Sequence, residues 1–534
     1  MNMKQRAWTA LLAATMVSLL ASTEAFSQQV VRGPYLQVGT PSSVVVRWRT
    51  DVATDSRVNY GVTLNNLNLS VQSSNSTTEH EIQLGGLSAD TKYFFSVGTS
   101  SQVLAGDNSD HFFVTSPLPG TPKPTRIWIL GDAGTKNSNQ RAVRDAYYNF
   151  TGSRHTDLWL MLGDNAYDDG EDSEYQLAIF ENMYEKMLTK SVLWATRGNH
   201  DRDVSTYYSI FTFPTNGEAG GLASGTEAYY SFDYGNIHFI CLESTSSSLR
   251  SESSAQWTWL EADLAANDQD WTIAFWHHPP YSKGSHNSDS ESELIQMRER
   301  AVTRLEDAGV DLVFTGHSHS YERSFLLDGH YGNSGSLTSA MILNNGSGRE
   351  DGDGAYKKAT LGSSPHEGAV YVVAGSSGKT SSGSLNQPAM FFSLKKLGSL
   401  VLDINDNRAD AKFIDDAGEV RDYFTIIKGA PTGVDEPPEA LPLQIVLNQN
   451  YPNPFNPGTT ITYSFSRAGE VTLAIYNMRG ERVRNLVEGA MPAGRYQAVW
   501  DGTDANGARV ASGVYLCKLQ VNGVSASRRL VLAK

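Results

Sequence analysis

Asp311-Leu-Val-Phe-Thr-Gly-His-Ser-His-Ser-Tyr-Glu-Arg323 is the stretch around which the chain is organised. Leu312 to Phe314 is a short apolar run of the kind that forms a buried strand. Gly316 lets the backbone turn sharply at its end. His317 and His319 follow two apart, and side chains two apart in an extended segment point the same way. Two imidazoles on one face commonly begin a metal site. Taken alone, the stretch also reads as a polar loop with two solvated histidines. Four other places repeat the design of an apolar strand followed by a tight turn with a ligand-type residue. Arg126-Ile-Trp-Ile-Leu130 leads to Gly131-Asp132-Ala133-Gly134, and Asp157-Leu-Trp-Leu-Met-Leu162 leads to Gly163-Asp164-Asn165-Ala166-Tyr167. Ser191-Val-Leu-Trp-Ala195 precedes Gly198-Asn199-His200-Asp201, and Trp271-Thr-Ile-Ala-Phe-Trp276 precedes His277-His278-Pro279. Open α/β sheets collect ligands at the carboxyl ends of their strands, so the five loops are expected to converge.

The five segments, in this order, resemble the calcineurin-like metallophosphoesterases, and their details resemble the purple acid phosphatase branch. Other members of that superfamily carry Asp-x-His in the first motif. Here Gly134 stands where that histidine would be, and Tyr167 follows Asp164 by three residues, as in the purple branch. The His317-to-Arg323 run is similar to that branch too. The resemblance covers residues 30 to 428 or so, and it implies a two-metal site. Asp132, Asp164, Tyr167 and His319 would hold the first metal; Asp164, Asn199, His277 and His317 would hold the second, with Asp164 bridging. A phenol has a pKa near ~10 and ionises at neutral or acid pH only beside a strongly acidic cation, so Fe(III) is expected at the first site. Zinc, manganese or Fe(II) would each suit the second. Three anionic ligands against about five positive charges leave an excess near two, or about one with a bound hydroxide, which would draw in phosphate.

The expected reaction is hydrolysis of phosphate monoesters by in-line attack of a metal-bound hydroxide. His286, in the loop Lys283-Gly-Ser-His286, is the expected acid for the leaving group. His200, beside Asn199, is expected to hydrogen-bond the phosphate or the nucleophile, with Asp201 orienting it. His278 reads as structural. Tyr321 to Arg323 are expected to pack and pair beneath the metals, and Glu322 is not expected to be a ligand. A phosphodiesterase or nucleotide pyrophosphatase on the same core is the alternative; a surface binding protein with a degenerate core is the non-enzymatic one.

The remaining sequence bounds these readings. A length of 534 residues suggests about three domains. A net charge of −15 argues against nucleic acid or an anionic membrane as the main partner. Cys241 and Cys517 lie far apart, and no disulfide is expected. Residues 1–27, with Lys4 and Arg6 before the apolar Ala10 to Ala21 and small residues at Ala25-Phe-Ser27, read as a secretory signal peptide, and no membrane span is expected in the mature chain. Residues 28–117 alternate in Val44-Val-Val-Arg-Trp-Arg49 and Lys92-Tyr-Phe-Phe-Ser-Val97, which predicts a β-sandwich. Gly33-Pro-Tyr-Leu-Gln37 and Leu87-Ser-Ala-Asp-Thr-Lys-Tyr93 make it similar to the fibronectin-like domain of purple acid phosphatases. A proline-rich linker, 118–125, precedes the catalytic region, 126–428, where strands alternate with helices predicted over 139–150, 173–188, 253–266 and 292–308. Ser253 or Ser254, and Ser292, are the expected N-caps. Residues 344–354 read as a flexible surface insertion or a calcium loop through Asp351 and Asp353. After a second linker, 429–443, residues 444–534 predict an immunoglobulin-like β-sandwich. Tyr451-Pro-Asn-Pro-Phe-Asn-Pro-Gly-Thr-Thr-Ile-Thr-Tyr463, Trp500-Asp-Gly-Thr-Asp-Ala-Asn-Gly507 and Ser512-Gly-Val-Tyr515 resemble the sorting domain of type IX secreted bacterial proteins. That resemblance implies export across the outer membrane, the type IX secretion machinery as a partner, and a secreted or cell-surface product.

Overall fold

Two seven-stranded sheets carry the loops singled out above. In one, Ile237–Cys241, Trp271–Trp276, Leu312–Thr315 and Val370–Ala374 run parallel, Tyr230–Tyr234 and Tyr321–Ser324 flank them antiparallel, and Met390–Leu394 pairs antiparallel to Tyr321–Ser324 at the edge. In the other, Thr125–Leu130, Leu158–Leu162 and Val192–Thr196 run parallel, and Gly398–Asn405 pairs antiparallel to Thr125–Leu130. The parallel strands are near-continuous apolar runs because both their faces are covered. The sheets face each other across a shared core, with Trp194 stacked on Phe232 at 3.7 Å and Tyr321 on Phe413 at 4.1 Å. Their parallel strands end at one edge, which is where the ligand-type residues lie.

The computed structural model describes residues 28–429, 445–450, 452–465, 469–491 and 494–533. The expected signal peptide, 1–27, and all but the first residue of the expected 429–443 linker lie outside the described residues. The chain divides into two compact units, Met1–Ala430 and Pro431–Lys534.

Within the first unit, six antiparallel strands precede the α/β region. The long strand Ser43–Gly61 serves both halves: its first part pairs with Val30–Gln37 and its last part with Lys92–Gly98, across a register shift near Thr54. Arg32 and Arg49 from this N-terminal part both reach Asp172, at 2.9 and 2.6 Å, so it is anchored beside the Asp164 loop. The proline-rich segment does not hang free. Gly120 N donates to Gly235 O and to Gln269 Oε1.

The helices follow the sequence with instructive exceptions. Ser138–Thr151 and Ala255–Ala266 form, the second capped by the Ser254 hydroxyl. The predicted helix over 173–188 is instead Asp172–Tyr175, a π-turn over Gln176–Phe180, and Glu185–Leu188. It breaks at Asn182, which takes φ 56°, while Ala178, Ile179, Phe180, Met183 and Tyr184 all stay buried. Burying that many apolar side chains on one short stretch is worth more than the lost intrahelical bonds. At 292 the cap is Glu291, not Ser292, and its carboxylate is spent on neighbouring groups rather than the helix. Residues 344–354 are tied down: Tyr356 OH donates to Gly346 O, Glu350 pairs with Arg408, Asp351 with Arg349, and Asp353 accepts from Ser347 N. Both cysteines are buried and free.

Among its described residues the second unit holds two antiparallel sheets, one of three and one of four strands, around a core that includes Leu473, Ile475, Trp500 and Leu519. No described helix is long and apolar enough to cross a membrane.

Candidate metal centre

Three of the five loops leave their strand through a glycine, and the residue after it is forced into an uncommon backbone state. Asp132, Asp164 and His317 have φ of 55°, 52° and 66°, a left-handed region that non-glycine residues seldom adopt. Such strain persists where the surroundings over-determine it, typically at functional sites. Here the over-determination is visible. Asp132 Oδ2 accepts from His317 N at 2.6 Å, and Asp164 Oδ1 accepts from His200 N at 2.8 Å, so each carboxylate buckles another loop onto its own. Gly198 allows the Asn199 loop to come this close, because a Cβ there would lie 2.1 Å from Asp164 N.

Asp132, Asp164 and His277 form one cluster of candidate ligand atoms, and all three are buried. Tyr167 OH donates to Asp164 Oδ2 at 2.8 Å and to Asp132 Oδ1 at 3.2 Å. His319 Nε2 lies 3.5 Å from Asp132 Oδ1, and its Nδ1 is 2.9 Å from Ser381 Oγ. On the other side of Asp164, Oδ1 is 3.4 Å from His277 Nε2, which is itself 2.9 Å from Asn199 Oδ1 and 3.2 Å from His317 Nδ1. Asp164 therefore turns one oxygen to Tyr167 and the other to His277. All seven residues singled out as ligands, from the ends of different strands, come together.

The electrostatics ask for positive charge. Leu162 O accepts from His277 Nδ1 at 2.8 Å, which leaves Nε2 facing the acceptor oxygens of Asn199 and Asp164. A proton or a cation must sit among these atoms. Burial would lower the His277 pKa, but the charges of Asp164 and Asp132 raise it. Burial would raise the Asp132 carboxyl, but the His319 bond and the surrounding imidazoles bring it down to about 2. Burial, followed by the Asp132 and Asp164 charges, drives the Tyr167 phenol well above its ordinary value. Burial pulls His317 down to about 4, so it is a neutral donor at neutral pH. Two carboxylates, imidazoles, an amide oxygen and a phenol are a donor set for hard to borderline cations, and the residues present fit a metal site.

The outer residues differ from expectation in part. His200 lies beside the centre, its ring 4.6 Å from that of Tyr167 and its Nδ1 2.7 Å from Asp168 O. Asp201 does not orient it. The Asp201 carboxylate accepts from Gly198 N, Asn165 N, Asn165 Nδ2 and Tyr175 OH, pinning the Asp164 loop to the Asn199 loop. His286 stacks on His317 at 3.6 Å, and its Nδ1 is 2.7 Å from Glu291 Oε2. Sequence reading passed over Glu291; its place five residues after His286 at a helix start was the available signal. His278 bonds Ser244 Oγ and packs on His317. Glu322 accepts from Ser282 and Ser320 hydroxyls and Lys283 N, while Tyr321 and Arg323 both bond Asp422, so this strand braces the centre from behind. A sixth loop, 375–383, was not anticipated and covers the Asp132 side.

Residues 125–321 match the family model described as calcineurin-like phosphoesterase, and residues 31–116 match that of the purple acid phosphatase N-terminal domain. The central domain is a purple acid phosphatase-like metallophosphoesterase domain. Among curated proteins, purple acid phosphatase 15 of Arabidopsis thaliana is 30% identical over 278 residues, 46% of this chain and 49% of the relative. Purple acid phosphatase 22 of the same plant is 31% identical over 254 residues, 46% of this chain and 53% of the relative. The chain thus spans about half the length of the curated relatives it matches. The fold is shared with the purple acid phosphatase PPD1 of yellow lupin seeds at a TM-score of 0.57 and 18% identity, covering 74% of this chain and 75% of that one. PhoD matches at 0.54 and 13% identity, covering 75% and 90%. Residues 456–524 match the FlgD Ig-like domain model. Behind the metallophosphoesterase centre, Arg323 and Asp422 join the two sheets, so its ligand loops stand on a braced scaffold.

Proposed function

We propose that this chain is an exported two-metal phosphatase that hydrolyses phosphate monoesters. The carrying observation is the placement of Asp164, whose two oxygens face the Tyr167–Asp132 group and the His277–Asn199 group separately. Asp132, Asp164, Tyr167 and His319 would hold the first metal, and Asp164, Asn199, His277 and His317 the second. Burial and two carboxylates oppose ionisation of Tyr167, so only a strongly acidic cation would make it a phenolate ligand; that favours Fe(III) there and zinc, manganese or Fe(II) in the second place. When bound, the pair supplies Lewis acidity that activates water and neutralises charge on the phosphoryl oxygens. His200 presents its ring beside Tyr167 to hydrogen-bond a phosphoryl oxygen. His286 gives a proton to the leaving alkoxide, and Glu291 holds the ring by its Nδ1 side. The monoester preference takes its support from the named relatives, which are acid phosphatases.

The test is purified protein assayed for metal content, visible absorption and phosphate release from nitrophenyl phosphate and its bis-ester. Two metals per chain, a phenolate-to-iron band and faster monoester hydrolysis are expected, with metal and activity lost together in Asp164→Ala. Faster hydrolysis of the bis-ester moves the reading to a phosphodiesterase, and absence of both metal and turnover defeats it. For residues 444–534 we infer a type IX sorting role from the motifs at Tyr451–Tyr463 and Trp500–Gly507. Deleting 431–534 in a host with that machinery should leave the protein inside the outer membrane; unchanged export refutes the role.

A further inference from the structure

The sixth loop leaves the Val370–Ala374 strand at the same edge as the ligand loops. It is fastened to two of the site's loops, the one after Leu312–Thr315 and the one after Thr125–Leu130. Gly375 N donates to Ser320 O, Ser377 N to Gly131 O and Ser381 N to His319 O. The backbones are in contact at Gly378, where a Cβ would lie 2.7 Å from Asp132 O. The attachment point of the next residue, Lys379, is thereby fixed over the Asp132 side of the centre. Its ammonium stands 3.7 Å from the centroid of the Tyr167 ring.

What distinguishes Lys379 is its lack of a carboxylate. Nearby cations are matched: Lys136 pairs with Glu174 at 2.9 Å and Arg202 with Asp169 at 2.7 Å. Among the described residues, no acidic side chain pairs with Lys379, although the chain as a whole carries a net charge of −15. A contact with a ring face at a partly exposed position is worth only ~0.5–1 kcal/mol, too little to keep a flexible ammonium from a better partner. An ammonium on a four-carbon stem is a point charge that follows a phosphoryl oxygen through rotamer changes. The oxygen edge of the Tyr167 ring faces Asp132 and Asp164, so a ligand reaching the centre passes within the sweep of that stem.

We propose that Lys379 is a phosphate-binding residue, docking a non-bridging oxygen of the ester taken by the metallophosphoesterase centre; this rests on the function proposed above. The test titrates inorganic phosphate into metal-loaded wild type, Lys379→Met and Lys379→Arg, by calorimetry and by the visible band. Metal content and band position should be the same in all three. Phosphate affinity should fall about tenfold in Lys379→Met, the loss of one charge-assisted bond, and less in Lys379→Arg. Unchanged phosphate affinity in a fully metallated Lys379→Met overturns the proposal. So does a displaced visible band with unchanged affinity, which assigns the lysine to the Tyr167 electronics instead. Wild type that takes up no metal defeats the function itself, a result separable from either.

Discussion

Replacing Asp422 by alanine should destabilise the first unit by about 4 kcal/mol, within the ~3–5 kcal/mol range for leaving one partner of a buried ion pair alone. The geometry sets that figure. Asp422 Oδ2 accepts from Arg323 Nε at 2.6 Å and Oδ1 from Nη2 at 3.0 Å, with side-chain exposures of 0% and 1%. Tyr321 OH also donates to Oδ2, at 2.9 Å. In the variant the guanidinium keeps only the Tyr356 hydroxyl at 3.1 Å, between the rings of Phe391 and Phe424 at 4.7 and 5.0 Å. A loss of about 4 kcal/mol is roughly a thousandfold in the unfolding equilibrium. Urea unfolding followed by tryptophan fluorescence measures it. Arg323→Met combined with Asp422→Leu should recover most of the loss, because an apolar pair needs no counter-charge. A single-variant loss under about 1 kcal/mol, or a double variant no better than the single, refutes the reasoning.

Other consequences follow from the same structure. Burial would lower the His238 pKa, but its bonds to Asp233 and Asp263 raise it to about 9. A raised folded pKa stabilises fully below the unfolded value of ~6.5 and is lost as pH rises through about 9, a change of ~3 kcal/mol; His238→Gln should flatten stability over that window, and an unaltered pH profile counts against the charged form. Gly198→Ala places a Cβ 2.3 Å from Asp164 Oδ1, so metal should be lost and turnover should drop by about a hundredfold or more; a fully metallated variant is the contrary outcome. Glu291→Gln should slow alkyl phosphates by roughly a hundredfold and nitrophenyl phosphate little, since only the poor leaving group needs the His286 proton; equal slowing of both removes His286 from that role. Tyr167→Phe should bleach the visible band, and retained colour refutes the iron–phenolate assignment.

Local pattern was enough to locate the strands that end in Asp132, Asp164, Asn199, His277 and His317, because buried parallel strands are apolar throughout and must stop at a turn. It was also enough to single out the seven candidate donors that the fold brings together. The Ser254 cap was legible as one of two serines before an apolar run. The helix over 173–188 was not, because its periodicity is helical and the break at Asn182 is decided by the core that Phe180 and Tyr184 enter. Nor could the chain reveal that Gly398–Asn405 lies beside Thr125–Leu130, since pairing over that separation depends on which surfaces remain after the parallel strands assemble.

For the centre itself, sequence determined which groups are able to bind a cation, and tertiary structure decided what each carboxylate and ammonium does. Asp201 reads as a partner for the adjacent His200, yet it serves two loops through Gly198 N and Asn165 N. Glu291 reads as the residue before a helix, yet it holds His286. Lys379 reads as one more basic residue in a serine-glycine loop, yet it stands over Tyr167. A side chain's chemistry is carried by its own atoms and can be read one residue at a time. Its role depends on the donors, acceptors and charges within a few ångströms, and those come from chain segments that only folding brings into contact.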